Sequence, residues 1–121
     1  MIKLEAQELD NNIKQVKLIG RLDIQGTGDI ELAFAKETAI KKEKIIVDLS
    51  ELDFIASIGI RLILTNAKAQ ANRGGKIILF NPIPLVHEVL KTTGVNVLIP
   101  IYTDFLLASK YLNSLDTKIK S

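Results

Sequence analysis

The chain has 121 residues, 47% apolar and 25% charged, and its 16 basic and 14 acidic side chains leave a net charge of +2. That is enough for one globular core, too little for two domains, and too apolar for a disordered segment. No cysteine is present, which excludes a disulfide framework, a thiolate metal site and a cysteine nucleophile.

The elements follow in chain order. Ile2, Leu4 and Ala6 alternate with polar residues, Asp10-Asn11-Asn12 supplies a turn, and Val16, Leu18, Gly20 and Leu22 alternate again, which predicts a hairpin. After a glycine-containing loop, Ile30, Ala33, Phe34 and Thr38 recur at helical spacing. The run KIIVDL, 44–49, reads as a strand buried on both faces. A helix is predicted from Ser57 to Arg73, stopped by Gly74-Gly75. KIILF, 76–80, is a second buried strand. Pro84 opens a helix carrying Val86, Val89 and Leu90, and Gly94 ends it. VNVLIPI, 95–101, reads as the last strand, with Pro100 at a sheet edge. A final helix over 103–115 has Phe105, Leu106, Ala108 and Leu112 on one face, before a polar tail at 116–121. The expected fold is therefore α/β, in the order β-β-α-β-α-β-α-β-α, with a mixed, mostly parallel sheet and helices mainly on one face.

Most chemistry can be set aside. The longest charge-free stretch, Thr92 to Thr103, is 12 residues, short of a membrane span. Residues 1–20 carry charges throughout and no apolar signal core, so the expectation is a cytoplasmic protein. Lys41, Lys42 and Lys44, interrupted by Glu43, read as a solvated face, and with 5% aromatics no nucleic-acid role is expected. The GGK at 74–76 lacks the upstream glycine and the hydroxyl of a phosphate loop, and Gly26-Thr27-Gly28 reads as a loop entering a helix. His87 is the single histidine, lies off the apolar stripe and reads as a surface residue. Asp48 ends a strand as in a phosphoacceptor receiver domain, but its magnesium partners would have to be Glu8 and Asp10 in the hairpin. No cofactor and no metal are expected.

What remains is the junction at ELDFIASIGIRLIL, 51–64, where the apolar period changes from strand to helix around Ser57 and Gly59. Spacing alone makes Ser57 a helix N-cap, worth about 1 kcal/mol. Such a position also tolerates a phosphate, beside free N–H donors and the positive end of the helix dipole.

Residues 45–82, IIVDLSELDFIASIGIRLILTNAKAQANRGGKIILFNP, resemble the signature of STAS domains, specifically the bacterial anti-sigma factor antagonists. The shared features are an aspartate-ended strand, a serine followed two residues later by glycine, a long helix ending in glycines, and a strand ending in Asn-Pro. The upstream IGRLDI, 19–24, also resembles the family, and the likeness spans nearly the whole chain, giving one STAS-like domain at 1–115. The resemblance implies a non-enzymatic binding module. Its serine, here Ser57, is phosphorylated by the partner, an anti-sigma factor that is itself a serine kinase. The phosphorylated form releases that partner, and a PP2C-type phosphatase restores binding. The aspartate matching Asp23 lies near the serine and contributes to the partner surface. Ala56 and Ile58 depart from the family, which often has an acidic or amide residue before the serine and a small polar one after it. Other STAS domains serve as constitutive subunits, for example of lipid-transport complexes, and in that alternative Ser57 is only a helix cap.

The helix itself adds a reading independent of the family. Ile60, Ile63, Leu64, Ala67 and Ala71 form a core-facing stripe, while Ile58, Leu62, Thr65 and Ala69 form a second stripe expected to face solvent. The expected partner surface is thus Asp23, Ser57, Ile58, Gly59, Leu62, Thr65 and Ala69, on a monomer or weak dimer.

Overall fold

The computed structural model describes residues 1–120, with side chains through residue 115. β1 (Ile2–Glu8) and β2 (Ile13–Leu22) form an antiparallel hairpin. Its turn holds Asn11 and Asn12 at φ 64° and 61°, the left-handed region that asparagine tolerates better than most residues. The chain then runs through α1 (Ile24–Thr38), β3 (Lys44–Ile55), α2 (Ser57–Asn72) and β4 (Lys76–Phe80). It ends with α3 (Pro84–Thr92), the one-turn α4 (Val95–Leu98), β5 (Ile101–Tyr102) and α5 (Phe105–Lys120). Sheet order is β1-β2-β3-β4-β5, antiparallel at the first pair and parallel at the other three. This is the expected mixed, mostly parallel sheet.

Alternation along the strands divides the core in two. Val16, Leu18, Ile45, Val47, Ile77 and Leu79 meet Ile30 and Phe34 of α1, Ile63 of α2, and Val86 and Leu90 of α3. On the opposite face Ile13, Ile46 and Ile78 meet Ala108 and Leu112 of α5. The helices lie mainly on one face, as expected, and α5 alone covers part of the other. Lys14 shares the larger core face but is not stranded there. Its ammonium donates to Glu37 and Glu43, each at 3.2 Å, and to the Glu37 carbonyl at 3.1 Å. Burial opposes its charge, yet the two carboxylates more than offset this and hold its pKa above the usual lysine value.

Loops at the end of the sheet opposite Ser57 are fixed by one side chain. Gln70 of α2 donates to the carbonyls of Thr38 (2.6 Å) and Lys41 (3.0 Å) and accepts from the Glu43 N–H (2.7 Å). Arg73 adds a bond to the Ala39 carbonyl at 2.7 Å.

Several expectations are corrected. The strand read at 44–49 continues to Ile55, with irregular register against β2. Gly26 and Gly28 lie inside the first turns of α1 rather than in a loop, and Ala33 is exposed while Ile30, Phe34 and Thr38 are buried. VNVLIPI is not a strand throughout: Val95–Leu98 turn as a helix and pairing is confined to Ile101 and Tyr102. The reason is visible in burial, since Val95 and Ile99 are buried and Val97 between them is 82% exposed, an i, i+4 pattern and not an alternating one. Pro100 does lie beside the edge strand. In α5, Ala108 and Leu112 are buried, but Leu106 is exposed and Phe105, though its ring meets Phe80 edge-on, is exposed as well. The side chains of the polar tail at 116–121 lie outside the described residues.

Candidate functional site at the strand-to-helix junction

β2 and β3 run parallel, and Leu22 and Ile55 are their last registered pair. The Ala56 N–H donates to the Leu22 carbonyl at 3.0 Å, extending the pairing by one bond. The next residues, Asp23 and Ala56, therefore cap two neighbouring helices at the same end of the sheet, and Ser57 begins the second of them.

Asp23 is the N-cap of α1, with extended backbone, and its Oδ1 accepts from the Gly26 N–H at 2.7 Å. That bond, aided by nearby Arg21 and opposed by partial desolvation, holds the carboxyl below the usual aspartate pKa. Arg21 lies with Nε 3.6 Å from Asp23 Oδ2 and its guanidinium 4.4 Å from the centre of the Phe54 ring. The site thus keeps a fixed, ionised carboxylate beside the start of α2.

The capping expectation for Ser57 is overturned. Ala56 is the N-cap of α2 and has no side chain able to accept, while Ser57 is the first helical residue. Its side chain is exposed, and its hydroxyl makes no hydrogen bond with a described residue. Because the Ile60 N–H is the first in the helix to find a carbonyl, that of Ala56, the N–H groups of Ser57, Ile58 and Gly59 have no intrahelical acceptor. A free hydroxyl therefore stands at an electropositive helix start.

Gly59 explains how α2 is set against the sheet. A Cβ there would lie 2.8 Å from Leu22 Cγ and 2.9 Å from the Leu22 carbonyl oxygen, so only glycine lets the first turn approach the end of β2 this closely. Gly59 is buried, and its contribution to the expected partner surface is this packing rather than contact with another protein.

The helix phase also needs correction. Leu62, expected in solvent, is only 8% exposed, and Asn66 and Gln70 on the same side are buried too. This side of α2 packs against α1. Ala71, expected in the core, is exposed. Ile58 is 36% exposed, Thr65 is exposed and Ala69 is half-buried. Between the two helices runs a groove of about 380 Å³. Leu32 and Glu31 of α1 form one wall, and Ile58, Arg61 and Thr65 the other, with Leu62 between them. At its base Asn66 donates to the Leu62 carbonyl at 2.8 Å, and Thr27, 3% exposed, has a hydroxyl without a partner among the described residues.

Two residues of this surface were missed in the sequence. Leu32 is 86% exposed, and Ile24, beside Asp23, is also largely exposed. Both are apolar residues lying off the Ile30-Phe34-Thr38 stripe, and that was the available signal. Among the described residues no helix is long and apolar enough to cross a membrane.

A family model for the STAS domain matches residues 3–106. The anti-sigma F factor antagonist of Paenibacillus polymyxa is 32% identical over 90 residues, which is 72% of this chain and 75% of that one. The Bordetella bronchiseptica protein BtrV is 27% identical over 100 residues, or 83% and 85% of the two chains. Among solved structures, an anti-sigma factor antagonist from Mycobacterium paratuberculosis superposes with a TM-score of 0.83 over 93% of this chain and 95% of that one, at 18% identity, a likeness of fold.

Proposed function

The chain belongs to the STAS domain family, and we propose that it acts there as an anti-sigma factor antagonist that binds an anti-sigma factor serine kinase and is released by phosphorylation at Ser57. The observation that carries this reading is the Ser57 hydroxyl, exposed and without a hydrogen bond among the described residues at the first position of α2, next in the chain to Ile58 of the groove and at the same end of the sheet as the Asp23 carboxylate. The name of the Paenibacillus polymyxa relative supports the same reading.

The switch follows from charge. In the unmodified form Ile24, Leu32 and Ile58 offer apolar contact around a small neutral hydroxyl. A phosphate adds about −1.5 to −2 charge and strongly hydrated oxygens. In the free protein the group stays in water over unpaired helix N–H donors, so the fold holds. In the complex it must be desolvated beside Asp23. Like-charge juxtaposition in an interface costs several kcal/mol, and about 2.7 kcal/mol is already a hundredfold in affinity. A PP2C-type phosphatase resets the module by hydrolysing the ester. The chain is thus a substrate and a ligand in the cytoplasm, needs no cofactor, and catalyses nothing. The alternative role for Ser57 as a mere cap has no hydrogen bond to rest on among the described residues.

Incubation with the kinase and ATP, followed by mass spectrometry, should place one phosphate on Ser57. Ser57→Ala should keep partner affinity and, with no cap to lose, change stability by less than about 0.5 kcal/mol. Ser57→Asp should bind the kinase at least tenfold more weakly. Phosphate found only at Ser50 or Thr65 would overturn the reading.

A further inference from the structure

The groove and the Ser57 hydroxyl share a neighbour. Arg61 lines the groove, is exposed, and lies four residues after Ser57 in α2. Residues i and i+4 of a helix are adjacent, with Cβ atoms about 5–6 Å apart. Cα–Cβ bonds tilt toward the helix N-terminus, so the long side chain of Arg61 reaches back over the turn that carries Ser57. Arg61 forms no ion pair with a described residue. The other arginine at this end, Arg21, is held over Phe54 and beside Asp23.

We propose that Arg61 receives the phosphate when Ser57 is modified, moving its guanidinium from the groove onto the phosphate oxygens. The inference rests on the reading of Ser57 as the modification site and adds the means by which that modification reaches the groove. A guanidinium offers a planar fork of donors that matches two phosphate oxygens, and Arg61 supplies one that no described ion pair already holds, unlike Arg21. Of the remaining charged groups here, Asp23, Glu31 and Asp53 are carboxylates that favour keeping the phosphate's second proton, and Arg21 is already paired with Asp23, so Arg61 acts against the carboxylates. Pairing also withdraws a cation from the wall opposite Glu31 and leaves the groove net acidic. One modification thereby alters two parts of the docking surface, its rim and its groove.

The test encodes phosphoserine at position 57 during translation of the full chain, so that no kinase is required. Phosphorus NMR then follows the second ionisation of the phosphate, ordinarily near pH 6. Arg61→Gln should raise that pKa by about 0.15–0.4 of a unit, and Arg61→Lys should recover roughly half the difference. In the wild-type background the Arg61 Nε–H resonance should shift between the unmodified and phosphorylated chains. Identical titrations for wild type and Arg61→Gln, or an unmoved Arg61 resonance, would refute the pairing. Loss of partner affinity on phosphorylation with identical titrations removes only the role of Arg61. Kinase modification at another residue removes the Ser57 switch and leaves the titration result standing.

Discussion

The same substitution in the first turns of two adjacent helices should have opposite effects. Gly28 of α1 and Gly59 of α2 both lie in helical backbone, where alanine is favoured over glycine by about 0.5–1 kcal/mol. A Cβ added at Gly28 meets nothing within 4 Å, so Gly28→Ala should realise that gain and raise Tm by about 2–4 °C. At Gly59 the added carbon lies 2.8 and 2.9 Å from Leu22 Cγ and Cδ2 and 2.9 Å from the Leu22 carbonyl oxygen. Leu22 is fully buried, and that carbonyl already accepts the Ala56 N–H, so neither can yield freely. Overpacking of this kind costs about 1–3 kcal/mol, and the helix gain offsets part of it. Gly59→Ala should therefore lose about 0.5–2 kcal/mol. Urea unfolding of both variants, with unchanged m-values, measures the difference directly. Equal stabilisation by the two alanines would show that α2 does not press on the end of β2, and the packing that sets Ser57 beside Asp23 would be misplaced.

Gln70→Ala should cost about 3 kcal/mol or more in the same unfolding assay, because it strands the Thr38 and Lys41 carbonyls and the Glu43 N–H together. Leu62→Lys should destabilise by at least about 2 kcal/mol, since it puts an ammonium where an 8% exposed leucine packs against α1; a neutral result would restore the solvent-facing phase. Asp23 has a depressed folded-state pKa, so its contribution is present above its unfolded value near 3.9 and fades as pH falls through the folded value. The stability gap between wild type and Asp23→Ala should accordingly be constant at neutral pH and narrow in acid unfolding below about pH 4.

The order of strands and helices was legible because glycine, proline and asparagine mark the breaks and the apolar period changes cleanly between them. VNVLIPI failed because β-branched residues suggest a strand wherever they cluster, and only the depth of Val95 and Ile99 against the exposure of Val97 reveals a turn of helix. Ser57 and Asp23 were legible through the family signature. The groove was not. A helix packed on both a sheet and a second helix has two buried sides, and on α2 the second carries Asn66 and Gln70, whose polarity disguised it as solvent-facing. The Ser57 cap was misjudged by one residue, a shift that periodicity does not resolve and that frees a hydroxyl.

Sheet order identical to chain order has a consequence for how the molecule is made. Every strand pairs with the one synthesised just before it, so no strand has to be inserted between two already joined. The hairpin closes over residues 9–12, and each later crossover spans about 20 residues, so loop-closure entropy stays nearly constant from one addition to the next. A nascent chain can therefore grow this sheet outward from the hairpin, each new strand docking on the edge just exposed. Growth ends at β5, where only Ile101 and Tyr102 pair and Pro100 beside them has no N–H to offer a neighbour.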